Sequence, residues 1–457
     1  MTIETSPSRH PKNRPPSDGE IGGLDDPWTL PNSRWNVAWL VLDGLFFALG
    51  FNFLSPVAIL PVFVARLTPI DLLAGSFTAI DQIGLALPQF AASRWAERAA
   101  LTGRRKWLKS GVNLIGRIPI AVAIGVIVIY GDSRPEFAVA AVMIGFALFR
   151  LFEGMGVPAY YDLVGTVVHP RLRARYFAWQ QAATALGGLV AGLAARQVLG
   201  AFPFPWNFAA SFSIGLALAI LVTIVFLQVR EPAPGGAARA LSLDPGTPQE
   251  AWWQTIRSIW ATDATFRRLV VARALIGIAG MAPAYYAVSA VRRLDATDAD
   301  AATFGLLTLA SQLFGTIVWG EVTARTRRPW FLVAGPILGA VGATGALIAG
   351  SIETLYPTFV AAGAAFAAQL MCDMSIPIQL AERAARPRGR YVAAYSTLII
   401  PFSIAAPVIG GLLAGSAGFV AVDLTGIGAY IVATFTGVSF VRLLHRGRTT
   451  TAAVASA

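Results

Sequence analysis

The chain has 457 residues, 55% of them hydrophobic and only 13% charged, with a mean hydropathy of +0.60 and a formal net charge of +11. Soluble domains carry about 25% charged residues, so an ordinary soluble protein is excluded and a polytopic membrane protein is indicated. Nucleic-acid binding is not indicated either, because Lys and Arg form short clusters between long apolar runs, as membrane topology requires, and the single cysteine, Cys372, rules out an intrachain disulfide framework.

Residues 1–35 are polar and proline-rich ("SPSRHPKNRPPSDGE") and lack the apolar core of a secretion signal; they are expected to form a disordered cytoplasmic tail. A membrane-crossing helix needs about 20 mostly apolar residues, since lipid offers no partner to an unpaired backbone group. That rule predicts an all-α protein with twelve spans, near 36–64, 70–93, 110–130, 136–162, 176–195, 206–229, 269–291, 301–323, 330–350, 355–381, 391–415 and 419–441. They divide into an N-terminal six-helix bundle (36–229) and a C-terminal one (269–445), followed by a second disordered tail (446–457). The linker at 230–268 ends in "EAWWQTIRSIW", where Trp252, Trp253, Ile256, Ile259 and Trp260 share one helical face. Such a helix is expected to lie in the headgroup layer, the alternative being one packed under the bundle.

Of the 36 Lys and Arg residues, 28 fall in the tails and alternate loops on one side of these spans and 5 on the other, with Arg117, Arg150 and Arg273 inside spans. Both termini are therefore expected to be cytoplasmic.

The chain repeats itself. "RARYFA" at Arg173 returns as "RGRYVA" at Arg388, "WAE" at Trp95 as "WGE" at Trp319, "RRKW" at Arg104 as "RRPW" at Arg327, "MGVP" at Met155 as "MSIP" at Met374, and "ATALGGLVAG" at Ala183 as "APVIGGLLAG" at Ala406. The matches are collinear, which predicts two copies of a six-helix unit.

With these features the chain resembles the major facilitator superfamily over residues 36–445. The family's loop after its second helix, Gly-x-x-x-Asp-x-x-Gly-Arg-Arg, is approached by Glu97 and "GRRK" at Gly103, Arg104 and Arg105. Its fourth-helix pattern, Arg-x-x-Gln-Gly-x-Gly, is met by "RLFEGMG", with Arg150, Gly154 and Gly156 in register and Glu153 in place of Gln. The antiporter pattern Gly-Pro-x-x-Gly-Gly is absent from the fifth span, where Thr184 replaces the proline, and appears in the eleventh at Pro407, Gly410 and Gly411. The resemblance implies two parallel halves with substrate near the midplane between them, a role for Arg150 in proton coupling, and cytoplasmic gate loops formed by Glu97, Gly103, Arg104 and Arg105 with their counterparts Glu321, Arg327 and Arg328.

An ionisable group at helix depth costs about 2.5–3.5 kcal/mol even on lenient insertion scales, so each needs a reason. Arg150 and Glu153, three residues apart, lie on one helical face and read as a proton switch or a permanent ion pair. Asp81 and Arg117 read as a mid-depth structural pair, Arg273 and Asp373 as a gate, substrate contact or structural pair, and Asp43, without an evident partner, as a second proton carrier. Repeat-matched positions put Ser311 opposite Asp81 and Gln369 opposite Arg150, so ion handling is assigned to the first half, through Arg150, Glu153, Asp43 and Asp81. Solute is expected to touch both halves, through Gln82, Tyr160, Tyr161, Tyr285, Tyr286, Gln312, Gln369, Asp373 and Arg273, the alternative for Tyr160 and Tyr161 being interfacial anchors at helix ends.

His10, His169 and His445 are scattered and no metal-ligand or phosphate-cradling spacing occurs, so neither an enzyme nor a cofactor is expected. The expected function is proton-coupled movement of a small organic solute across the cell membrane by a monomer embedded in the lipid bilayer. Multidrug efflux is the nearest alternative, and a non-transporting sensor or assembly factor a more distant one.

Overall fold

The computed structural model describes residues 28, 30–169, 172–232, 252–326, 328–384 and 388–455. The helices are α1 (Ser33–Asn52), α2 (Ile59–Leu67), α3 (Asp71–Gly75), α4 (Phe77–Ala86), α5 (Gln89–Thr102), α6 (Arg105–Tyr130), α7 (Pro135–Val167), α8 (Arg173–Ala201), α9 (Trp206–Leu227), α10 (Trp252–Thr262), α11 (Ala264–Ala279), α12 (Met281–Leu294), α13 (Asp298–Thr326), α14 (Phe331–Ile348), α15 (Ile352–Arg383) and α16 (Arg388–Ala455). Among the described residues, ten helices are long and apolar enough to cross a membrane, and the fold is an all-α, multi-span membrane fold.

The difference between ten and the expected twelve has two local causes. The second expected span is divided into α3, α4 and α5, with Pro88 at the last junction, where its missing N–H interrupts the ladder. The last two expected spans form one continuous run, Ala394–Leu443, of 50 residues. A straight helix of that length would measure about 75 Å, more than twice the ~30 Å hydrocarbon layer. Gly418, at φ 79° and ψ 174°, interrupts it in a conformation that only glycine adopts readily.

Boundaries differ elsewhere. Helix α1 begins at Ser33, inside the expected tail, and the first expected span is interrupted between α1 and α2. The helix of α16 continues through the expected C-terminal tail to Ala455. Most of the N-terminal tail lies outside the described residues.

Helices α1–α9 pack mainly among themselves, α1 against α8 and α9 and α6 against α7, while α11–α16 form a second set in which α13 and α14 pack on α15 and α11 on α16. The sets meet along two seams, α8 against α13 and α3–α4 against α16. The repeated Gly-Gly pairs serve these seams in parallel ways. A Cβ on Gly187 would collide with the Leu45 carbonyl in its own set, whereas one on Gly188 would meet Leu309 of the other. Likewise Gly410 faces Met281 and Tyr285 of its own set, and Gly411 faces Leu72 across the seam.

Helix α10 departs from the headgroup expectation. Ile256 and Ile259 are buried with Phe266, Leu269, Tyr391 and Phe440 in an apolar cluster, so the helix is tucked under the C-terminal set, and Trp260 stays 39% exposed. The side chains of Trp252 and Trp253 lie outside the described residues. Asp263 then caps α11 by accepting from the Thr265 and Phe266 amides and also accepts from the Tyr391 hydroxyl, joining the linker to α16.

Candidate functional site

The buried charges of the N-terminal set gather on α1, α4, α6 and α7. Helix α7 is wedged between α4 and α6 because "RLFEGMG" offers a bare surface on both flanks. A Cβ on Gly154 would lie 2.4 Å from the Leu85 carbonyl of α4, and one on Gly156 would lie 2.9 Å from Asn113 Oδ1 of α6. This close approach brings acids and bases of neighbouring helices within reach.

The pairs that form are not those the sequence suggested. Arg150 contacts Asp81 on α4 (Nε to Oδ1, 2.5 Å), and Glu153 accepts from Arg117 on α6 (Nη1 to Oε1, 2.6 Å). Arg150 and Glu153 therefore turn to opposite neighbours instead of pairing along α7, and Asp81 does not pair with Arg117. Each guanidinium also lies against an aromatic face, Arg117 over Phe149 at 5.1 Å and Arg150 over Phe51 at 4.8 Å, which adds attraction in a dry setting.

Asp43, expected to be unpartnered, lies 3.7 Å from Lys109 Nζ. Lys109 is 9% exposed and rests over the rings of Phe226 (3.9 Å) and Tyr160 (5.0 Å). The Tyr160 hydroxyl shares a 2.8 Å hydrogen bond with that of Tyr176 and accepts one from Gln180 Nε2. Asp43, Asp81 and Glu153 are thus matched by Lys109, Arg150 and Arg117, and the ionised cluster is electrically neutral as a whole. Protonating any one acid leaves a buried net positive charge.

In the C-terminal set Arg273 and Asp373 form the expected pair, doubly hydrogen-bonded at 2.9 and 3.0 Å, with the Tyr395 hydroxyl donating to Asp373 at 2.5 Å. Arg273 is buried, while the Asp373 side chain is 33% exposed. The sequence reading overlooked Asp423 of α16, 3% exposed.

Four further residues that the sequence reading did not single out close one end of the molecule. Arg66, between the sets, meets Asp298 at 3.0 Å and donates to the Ala296 carbonyl at 2.7 Å; Arg292 meets Asp71 at 3.0 Å and donates to the Thr68 carbonyl. Asn207 adds a 2.8 Å bond to Asp298. Beneath them Tyr285, 1% exposed, donates to the Pro407 carbonyl at 2.7 Å. Its ring fills the space where a Gly75 Cβ would be, 2.0 Å from Cζ. Tyr285 and Tyr286 are therefore packed into the closed end and do not line an open cavity.

The opposite end carries no such bridge between sets among the described residues. Arg105 is paired with Asp162 (2.6 Å) and Glu231 (3.7 Å) of its own set and its adjoining linker, and Glu321 with Arg325 four residues on (2.5 Å). Gly103 ends α5 at φ 64°, and Arg104 and Arg328 are exposed. The Glu97 side chain and Arg327 lie outside the described residues. Gln82 is exposed, and Gln312 and Gln369 are half-buried. Tyr161 is 58% exposed, whereas Tyr160 belongs to the Lys109 cluster. Among the described residues no group of three or more His, Cys, Asp or Glu could hold a metal ion.

No protein-family model and no curated protein sequence matches the chain. Solved structures do. The peptide transporter POT in complex with sulfate aligns with a TM-score of 0.65 at 16% identity, covering 91% of this chain and 96% of that one. A bacterial homologue of the iron transporter ferroportin in its inward-facing state gives 0.63 at 14%, covering 89% and 99%. A bacterial homologue of the human lysosomal transporter Spinster, inward-facing and unoccupied, gives 0.61 at 17%, covering 90% and 96%. At these identities the likeness is one of architecture: the chain has the all-α, multi-span fold of these solved transporters.

Proposed function

We propose that the protein is a secondary active transporter that moves a small organic solute by alternating access, driven by a proton gradient. It crosses the membrane twelve times in two six-helix halves, with α3–α5 in series as one crossing and α16 as two. Both termini are cytoplasmic, and the protein works as a monomer. The sealed end, bearing Arg66, Asp71, Arg292 and Asp298, is the non-cytoplasmic one, so the structure is inward-facing.

The observation that carries the coupling is the Asp81–Arg150 contact. Asp81 sits on α4, which packs across the seam against α16, while Arg150 belongs to the interior of the N-terminal set. A carboxylate so placed holds the seam helix to its own half while charged and releases it on gaining a proton, because the attraction to the guanidinium is lost. Gln82, Gln312, Gln369, Asp373 and Arg273 supply the polar groups expected to meet the solute.

A thermal-shift screen of the purified protein against solute libraries at two pH values identifies the ligand, and uptake into vesicles with and without a pH gradient tests the mechanism. Gradient-driven flux in the native protein is expected, with Asp81→Asn or Glu153→Gln keeping solute exchange and losing the response to the gradient. Flux indifferent to pH in all three would overturn the coupling.

A further inference from the structure

The carboxylate of Asp423 belongs to neither the N-terminal charge cluster nor the Arg273–Asp373 pair. Its place follows from the packing of α16 on α14 and α12. Gly437 faces Leu332 and Gly339 faces Tyr430, so each step along α14 is matched by an equal step back along α16, and Asp423 falls level with Ala346. Gly426 faces Ala282 at 2.8 Å, which sets Tyr286, one turn on, at the same level from α12. Thr358 of α15 comes in beside Gly345. Three deeply buried oxygens in this region have no hydrogen-bond partner: Asp423 Oδ2, Tyr286 Oη and Thr358 Oγ1, in residues 3%, 2% and 1% exposed.

The charged and titratable neighbours are few. Arg293 of α12 is exposed and donates to Ser289 Oγ (3.5 Å) and the Ala346 carbonyl (3.3 Å), not to Asp423. Helix α14 carries no ionisable residue. Tyr430 lies two turns below on α16 itself, and Arg273 of α11 is occupied by Asp373. Glu353, in the first turn of α15, is exposed.

Among the described residues no cation pairs with Asp423 and no donor reaches its buried Oδ2, and a carboxylate so placed keeps its charge only at high cost. A bound proton removes the charge and turns the same group into a donor for a hydroxyl of its level. We infer that Asp423 is a proton-binding site of the C-terminal half, separate from the N-terminal cluster and loaded from the sealed end. The proton comes from hydronium at that surface, whose O–H bond breaks as one forms on the carboxylate, leaving water, and no other reactant is needed. Because Arg292, neighbour of Arg293, holds Asp71 across the seal, ionisation of Asp423 would draw Arg293 inward beside a sealing contact.

The site can be read without a transported solute, so its test stands apart from the transport proposal. Infrared difference spectra of the purified full chain between acidic and alkaline pH should contain a protonated-carboxyl C=O band that disappears in Asp423→Asn. In Arg293→Gln, which removes the nearest cation at an exposed position, the same band should persist to higher pH than in the native protein. At fixed pH, replacing choline chloride by sodium chloride should leave the band unchanged. Identical spectra for the native protein and Asp423→Asn, an unmoved midpoint in Arg293→Gln, or loss of the band to sodium would each overturn the assignment.

Discussion

Glu153 accepts a 2.6 Å hydrogen bond from Arg117 on a neighbouring helix and leaves Arg150, one turn away on its own helix, to Asp81. The crossed arrangement ties α7 to α6 through one pair and to α4 through the other. Removing one partner of a buried pair strands the other charge, at about 3–5 kcal/mol. Arg117→Met should therefore lower the melting temperature markedly, whereas Arg117→Met with Glu153→Gln should recover most of the loss. Melting curves in detergent check this, and equal destabilisation by the single and double variants would contradict the pairing.

The two contacts across the sealed end are partly exposed, with Arg66 at 35% and Arg292 at 28%, so each is worth about 1 kcal/mol at most. Asp298→Arg should move the balance between sealed and open states toward opening by about five-fold, and adding Arg66→Asp should restore it. Cysteine accessibility at Ala296, which is buried in the sealed form, compared among the three proteins, gives the populations.

Tyr285 closes that end by filling the space over Gly75 and Gly411. Gly411→Ala places a methyl 2.3 Å from the tyrosine hydroxyl and 2.6 Å from Leu72 Cδ1, an overpacking that costs about 1–3 kcal/mol in the sealed state. The variant should favour the open form by about five-fold or more. Gly415→Ala, where nothing lies within 4 Å, should be silent in the same accessibility assay.

Outside the membrane-crossing segments, Glu231 accepts from the Arg105 and Lys106 amides at 3.3 Å each, fastening the linker to the start of α6. Burial of its carboxyl raises its proton affinity above the ordinary glutamate range, partly offset by those amides and by the nearby Arg105 and Lys106 charges. With the folded value above the unfolded one, the contribution to stability is present below the ordinary carboxylate range and is lost as pH rises through the folded value. The melting temperature of Glu231→Gln relative to native should accordingly be higher at pH 7 than at pH 4; a difference independent of pH would contradict this.

The composition and the spacing of apolar runs made the membrane-embedded fold legible, because the cost of an unpaired backbone in lipid leaves so few alternatives. Arg117, Arg150, Glu153, Asp81 and Asp43 were legible for the same reason, as charges out of place. Their partners were not, since the choice between a residue one turn away and one on the next helix depends on interhelical register, here set by Gly154 and Gly156. Lys109 was hidden in a basic loop run, although it is the fifth residue of α6 with its side chain turned inward. Asp423, inside the last expected span, carried the same signal of a charge out of place and was missed. The sealing pairs lay in short loops whose sparse arginines had been read only for topology, and nothing local signals that Arg66 and Asp298, 232 positions apart, meet.

On the proposed mechanism, proton binding in the N-terminal cluster switches which end is sealed. Spin labels on Ile70 and Thr297 at the sealed end, and on Arg104 and Arg325 at the other, allow distances at both ends to be measured by pulsed electron resonance in lipid at a series of pH values. Opposite changes are expected at the two ends, one distance lengthening as the other shortens, with loss of the pH response in Asp81→Asn. Distances that stay fixed at both ends across pH, or that respond equally in Asp81→Asn, would contradict the mechanism.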